Sequence, residues 1–183
     1  MKPYKILVSK KTCEKAKSYL HEIQNGRKPG KLLSQKLLGK RKSEIKTDDL
    51  IELLLITKRP QIFAESEVAG DGSDWKQIEL SILGDIGVAA RVTVFDNGRH
   101  SHPYVYKNPF EAFLLFVPGA LLRNGKNVVP ADWNEVVRDG EIKRQGYYSL
   151  YQRRLFPVFA YADRVAEEAG KKAFVTVPGL GCG

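Results

Sequence analysis

The chain has 183 residues and a mass of 20.6 kDa, which suits one domain with room for an appendage. Its hydrophobic content of 43% and charged content of 28% are typical of a globular protein, and its longest apolar run, residues 112–117, is far too short to cross a bilayer. The N-terminus lacks the long apolar region of a Sec signal peptide. The two cysteines, Cys13 and Cys182, lie near opposite ends of the chain and predict no disulfide framework. They indicate reduced thiols in a reducing compartment.

The net charge of +9 is concentrated at one end of the chain. Residues 1–60 contain 16 Lys and Arg against 6 Asp and Glu, whereas residues 61–183 contain 14 against 15. A basic segment of this kind could bind an acidic partner, a phosphate backbone or an anionic membrane, or it could be a solvated helical surface. A nucleic-acid or protein interaction module built on residues 1–60 is therefore one alternative function.

Local patterns predict that residues 1–60 are mainly helical. A short strand over 5–8 precedes a helix over 12–25, whose apolar residues share one face and which Gly26 can end. A second helix over 47–57 begins with two acids in its first turn.

Residues 61–183 alternate between predicted strands and helices. The strands are predicted over 61–65, 76–83, 91–95, 113–117 and 173–177, and the one over 76–83 rests on apolar residues that recur with period two. Helices are predicted to open at 120–122, to follow the capping-box pair Asp132 and Glu135, and to run over 147–169 with a kink or break at Pro157. This order favours an α/β sheet.

Two glycine-containing segments follow predicted buried strands. The tail VTVPGLGCG places three glycines in five residues, and exposed backbone N–H groups there could bind an anion. In FVPGALLRNG, Gly119 could present donors to a second phosphate. Taken alone, each segment is more typical of a tight turn, but two such exits from a parallel sheet would converge at its carboxyl edge, where ligands of α/β proteins bind.

Acidic and amide residues lie in the stretch LGDIGVAARVTVFDNG. Asp85 is predicted at the exit of strand 76–83, where it could cap a turn or accept a hydrogen bond from a ligand amine. Asp96 and Asn97 leave the next predicted strand and could form a turn or contact a water or a ribose hydroxyl. Together these residues predict the two ends of one pocket.

Metal and covalent chemistry have little support in the sequence. His100 and His102 form half of a possible metal site, but no cysteine cluster accompanies them. No G-x-S-x-G nucleophile signature is present. We therefore predict no metal and no cofactor.

Taken in order, these motifs resemble the macrodomain family of ADP-ribose-binding α/β/α modules. The matching features are the Tyr- and Arg-rich helix followed by KKAFVTVPGLGCG (147–183), the Gly-Asp-Ile step (84–86), Phe-Asp-Asn-Gly (95–98) and Pro-Gly-Ala (118–120). The sequence lacks an Asn-Ala-Ala-Asn run and a triple-glycine loop, so it is most similar to atypical macrodomains of secreted bacterial effectors, which resemble poly-ADP-ribose glycohydrolases.

The resemblance extends over residues 75–183 and implies a three-layer α/β/α fold with a mixed sheet. It implies a macrodomain-like domain over 61–183, truncated at its C-terminus, after the basic segment 1–60. ADP-ribose is the implied ligand, and no cofactor is implied. The implied roles are as follows: Asp85 and Ile86 at the adenine; Gly119 and Ala120 at the pyrophosphate; Asp96 as the catalytic carboxylate and Asn97 at the distal ribose; Gly179, Leu180, Gly181, Cys182 and Gly183 closing over the ligand.

Two functions follow from the resemblance. In one, the protein hydrolyses ADP-ribose from modified proteins, with Asp96 holding or activating water. In the other it is a reader that binds ADP-ribose or ADP-ribosylated proteins without hydrolysis. The predicted location is the cytoplasm, or a host cell after export without a Sec signal.

Overall fold

The computed structural model describes residues 3–58, 74–99, 107–122 and 129–177, and they form an α/β fold. The helices are α1 (Lys10–Gln24), α2 (Lys31–Leu37), α3 (Thr47–Leu55), α4 (Gln77–Gly84), α5 (Trp133–Val136) and α6 (Arg144–Glu168), with a 3-10 turn at Lys42–Glu44. The strands are β1 (Tyr4–Leu7), β2 (Gly87–Val94), β3 (Phe110–Phe116), β4 (Val137–Arg138) and β5 (Glu141–Ile142).

Helices α1, α3 and α4 surround the main hydrophobic core. Helix α1 begins where the Ser9 hydroxyl accepts a hydrogen bond from the Thr12 N–H, and it ends before Gly26, whose φ of 100° favours glycine. Residues spaced three or four apart point inward, as expected for an amphipathic helix. The buried core residues from these helices include Ala16, Leu20, Ile23, Leu50, Leu54, Ile82 and Leu83.

The main sheet has the order β1-β2-β3, and both strand pairs are antiparallel. Leu7 lies opposite Gly87, and Val88 lies opposite Phe116. The segment before β2 and the segment after β3 therefore lie at one end of the sheet. The end of β2 and the start of β3 lie at the other, where Val94 is opposite Phe110.

Helices contact both faces of this sheet because neighbouring strand residues point in opposite directions. Ile6 and Val88 pack against the core of α1, α3 and α4. Leu7 and Ala89 pack on the opposite face with Val158 and Tyr161 of α6. The described strands of this sheet are antiparallel, whereas the sequence predicts a mixed sheet, so the complete three-layer arrangement stays a prediction.

Helix α6 runs for 25 residues without a break, although a proline lies inside it. The sequence predicts a kink or split at Pro157, but the helix continues across this residue. It is followed by Gly170, whose φ of 64° is the left-handed conformation that commonly ends a helix.

Three predicted elements are wrong. Residues 76–83 form a helix, not a strand, because Glu79, Ile82 and Leu83 are buried together at helical spacing. Residues 120–122 open no helix, since their backbone is held by α5 and α6. Residues 173–177 form no strand and are exposed, with Phe174 94% accessible. The predicted strand over 61–65 lies outside the described residues.

Packing is continuous across residue 60, where the sequence predicts a change from a basic segment to a second domain. Helices α1 and α3 both contact α4, and the buried core includes residues from 16 to 86. The domain division at residue 60 stays a prediction. Among the described helices, none combines the length and apolar character needed to span a membrane.

Candidate functional site

Asp85 lies at the centre of a buried group of charges. It caps the C-terminus of α4, and its side chain is fully buried. Its Oδ2 accepts hydrogen bonds from Lys15 Nζ and Arg153 Nε, each at 2.8 Å, while Oδ1 accepts from Arg154 Nε at 3.1 Å. Asp85 therefore joins α1 and α6 to the junction between α4 and β2.

Arg154 extends this group toward the segment after β3. Its Nη2 donates to both carboxylate oxygens of Asp132 at 2.8 Å, and its Nη1 donates to the Gly119 carbonyl at 2.6 Å. Asp132 Oδ2 in turn accepts from the Leu121 N–H at 2.7 Å. One guanidinium thus holds three segments of the chain together.

Arg153 completes the group through α5. Its Nη1 and Nη2 donate to the two oxygens of Glu135 at 2.5 and 2.7 Å, a bidentate pair that is among the stronger hydrogen-bond arrangements. We call the six residues of this group the ion-pair cluster. It contains three carboxylates and three cations, so its formal charges balance: Asp85, Asp132, Glu135, Lys15, Arg153 and Arg154.

The cluster changes the ionisation of its members. Burial alone would raise the pKa of Asp85, but Lys15 and Arg153 outweigh that effect and hold its pKa below the usual value. The hydrogen bonds from Arg153 lower the pKa of Glu135. Burial disfavours the charged form of Arg153, yet its bonds to Glu135 and Asp85 raise its pKa overall. The cluster therefore stabilises the fully charged forms of these three groups.

The Gly-Asp-Ile step at 84–86 has structural roles that its sequence does not reveal. A Cβ atom at Gly84 would lie 2.5 Å from Arg154 Nη2, so only glycine leaves room for that guanidinium. Asp85 neutralises the cations, and Ile86 is buried in the main core. The step precedes β2, so the prediction that it lies at a strand exit is wrong. Adenine recognition by Asp85 and Ile86 stays a prediction.

The segment 118–122, predicted to bind pyrophosphate, is fixed by contacts within the protein. The Ala120 N–H donates to the Tyr151 hydroxyl at 3.2 Å, and the Leu121 N–H is bonded to Asp132. Gly119 is exposed. Ala120 could therefore give its N–H to a phosphate only by releasing Tyr151, whereas Gly119 lies at the surface.

Asp96 and Asn97 lie at the opposite end of the sheet from Asp85. Their side chains accept hydrogen bonds from the backbone N–H groups of Gly98 and Arg99, at 2.8 and 3.0 Å, as in an Asx turn. Strand β2, whose eight residues span about 23 Å at the usual rise per residue, lies between the two acids. The prediction that they line the two ends of one pocket at one sheet edge is wrong, because Asp85 precedes β2 and Asp96 follows it, so the two acids flank one strand.

Several predicted site residues lie outside the described part of the chain. They are His100, His102 and the glycine-rich tail with Gly179, Leu180, Gly181, Cys182 and Gly183. Within the described ranges, no group of three His, Cys, Asp or Glu residues is placed to hold a metal ion.

Glu79, a buried carboxylate outside the ion-pair cluster, was not singled out by sequence reasoning. Its Oε1 accepts from the Tyr19 hydroxyl at 2.6 Å and from the Gly30 N–H at 2.8 Å, and its Oε2 accepts from the Lys76 N–H at 2.8 Å. Burial, together with the bond to Glu79, raises the pKa of Tyr19. The capping position of Glu79 at the third residue of α4 was the only local signal for it.

The comparison with known families gives first the class of protein, a macrodomain effector. Residues 4–183 match the family described as "Macrodomain effector MavL", and the chain therefore belongs to this family. The predicted resemblance to bacterial effector macrodomains is confirmed, but its predicted extent, 75–183, was too short because the match includes the N-terminal third. No curated protein matches the chain.

Proposed function

We propose that this protein binds ADP-ribose and acts on ADP-ribosylated proteins as a secreted effector in a host cell. The observation that carries the proposal is the family match over residues 4–183, because it includes every described strand and helix. Membership of a macrodomain effector family supports ADP-ribose as the ligand class and an effector role.

The end of the sheet that holds the ion-pair cluster is the proposed position of the ligand's nucleotide part. The surface there is formed by Pro118 and Gly119, and Arg154 fixes the Gly119 carbonyl from below. A preorganised backbone lowers the entropy that binding would otherwise cost. Asp85 supports this surface from inside the protein.

Hydrolysis is the finer part of the proposal, with Asp96 as the general base. The carboxylate would accept a proton from water while the water oxygen forms a bond to the anomeric carbon. The bond from that carbon to the modified side chain would break, and the leaving group would gain a proton. Asp96 is half-buried, and its Oδ1 accepts the Gly98 N–H, which fixes its orientation.

A reader without hydrolase activity is the second candidate. The observation in its favour is the length of β2, which separates the Asp96 end of the sheet from the cluster end. A ligand held at the cluster end would meet Asp96 only if it extended along the sheet.

Two measurements test these functions. Calorimetric titration with ADP-ribose should show binding by the wild-type chain, and its absence at millimolar ligand would contradict the proposal. Incubation with an ADP-ribosylated protein should release ADP-ribose with wild type and at least about 100-fold less with Asp96→Asn, the usual effect of losing a general base. Asp163→Asn, at an exposed position on α6, is the matched control. Binding without release would establish the reader.

A further inference from the structure

Lys58 carries a positive charge that no carboxylate among the described residues neutralises. It follows α3, and its ammonium nitrogen lies 5.2 Å from the ring centroid of Phe116, at the end of β3. In the part of the chain that the structure describes, no carboxylate forms an ion pair with Lys58. Burial, and then the charge of Arg154, lowers the pKa of Lys58.

The ion-pair cluster does not supply a partner for this lysine. Arg154, whose charge acts on Lys58, is already paired with Asp85 and Asp132. Since the cluster holds three positive and three negative residues, Lys58 adds one unit of positive charge beside a balanced group. A partly buried charge without a partner costs stability, so a ligand that neutralised it would be favoured.

The surroundings of Lys58 are open to a ligand. The Phe116 ring beneath it is 51% exposed, and the chain continues from Phe116 through Pro118 to the exposed Gly119. Arg154, which lowers the Lys58 pKa through its charge, also donates to the Gly119 carbonyl. The Phe116 ring under the Lys58 ammonium thus lies three residues before Gly119 in the chain.

We propose that Lys58 is the phosphate-binding cation of the ligand site, and that it pairs with the diphosphate of ADP-ribose beside Phe116 and Gly119. This inference rests on the proposed function and adds to it a residue from the N-terminal third. The basic residues of that third thus include one with a specific anion to bind.

The test compares Lys58→Met, which keeps an unbranched side chain over Phe116 but removes the charge, with Lys58→Arg, which keeps the charge. Lys36→Met, at an exposed position on α2, is the matched control. Each full-length variant is titrated with inorganic pyrophosphate and, separately, with ADP-ribose. Thermal unfolding without ligand is measured in parallel.

We expect Lys58→Met to bind both probes about 10- to 100-fold more weakly, the usual effect of losing a hydrogen bond to a charged group. The same variant should melt at a higher temperature than wild type without ligand, because it lacks the unpaired charge. Lys58→Arg and Lys36→Met should bind within about threefold of wild type, well under the tenfold change that a lost charged hydrogen bond gives.

Each other result has a distinct meaning. Equal ADP-ribose binding by wild type and Lys58→Met would overturn the role of Lys58 and leave the proposed function intact. Pyrophosphate binding that depends on Lys58, with no binding of ADP-ribose, would support the anion site and contradict the proposed function. If the wild type bound neither probe, both would be wrong.

Discussion

Arg154 holds Asp132 through a single nitrogen, Nη2, which lies 2.8 Å from each oxygen of the carboxylate. The same carboxylate accepts the Leu121 N–H, so the conformation of the segment after β3 depends on an arginine in α6. The buried ion pair of Arg154 and Asp132 therefore fixes the backbone around the exposed Gly119.

Replacing Asp132 should loosen this segment. Asp132→Ala leaves the Leu121 N–H without its acceptor and Arg154 with a surplus of charge, and breaking a buried pair typically costs about 3–5 kcal/mol. Urea unfolding should show this loss. Relative to wild type, the variant should exchange the Leu121 amide hydrogen faster, while amides of α1 should change less. Glu44→Ala, in an exposed pair with Arg41, should cost no more than about 1 kcal/mol. Unchanged exchange at Leu121 would contradict the role of Asp132.

The same substitution at the two ends of β2 should have very different effects. Asp85→Asn removes the charge that three buried or half-buried cations share, and we expect a loss of about 3–5 kcal/mol in the free energy of unfolding. Asp96→Asn keeps an acceptor for Gly98 and should change stability by less than about 1 kcal/mol. Denaturant titration of both variants measures this difference. Similar losses in the free energy of unfolding would mean that Asp85 is not the structural centre of the ion-pair cluster.

Stability should fall in acid partly through Glu135. Its pKa is lower in the folded protein because of the Arg153 hydrogen bonds, so folding favours the carboxylate. The resulting stabilisation is complete above the ordinary carboxyl pKa and is lost as the pH falls through the lower folded value. The free energy of unfolding of Glu135→Gln should therefore decline less between pH 5 and pH 3 than that of wild type. Glu44→Gln is the exposed control, and an equal slope for Glu135→Gln would refute this assignment.

The Tyr19 hydroxyl should contribute measurably to stability through Glu79. Tyr19→Phe removes a 2.6 Å hydrogen bond to a buried carboxylate, and bonds to charged groups are worth about 1.5–3 kcal/mol. Thermal and urea unfolding should both show the loss. Tyr148→Phe, on the exposed side of α6, should be neutral. If both variants match wild type, the Tyr19–Glu79 bond does not stabilise the fold.

The sequence predicts long amphipathic elements well because their apolar spacing is local information. Helices α1 and α6 fall where that spacing places them, and β3 includes most of the predicted continuous apolar run 113–117, each to within a few residues. The strand predicted at 76–83 fails because Ile78, Leu80 and Ile82 alternate, while the inward face of the helix includes the acid Glu79. Its burial depends on Tyr19 and Gly30, which are distant in sequence and which no local window contains.

The sequence could not predict the ion-pair cluster, for a similar reason. Arg153 and Arg154 are adjacent cationic residues within a predicted helix, and arginine side chains are normally exposed to solvent. The sequence singles out Asp85 as a ligand-binding acid, which stays a prediction, whereas its partners within the protein come from α1 and α6. Asp85 and Asp96 lie at opposite ends of the sheet because residues 76–83 form a helix and not a strand, so that the two acids flank β2.

The reach of Arg154 also bears on how the chain folds. Its partners Asp85, Gly119 and Asp132 lie 69, 35 and 22 positions away, so its bonds form only after long loops have closed. Because loop closure costs entropy before such contacts are made, we expect them to form after the folding transition state. We expect cluster variants to unfold faster while refolding at nearly the wild-type rate. The cluster would then set the lifetime of the native state by slowing unfolding, without speeding folding.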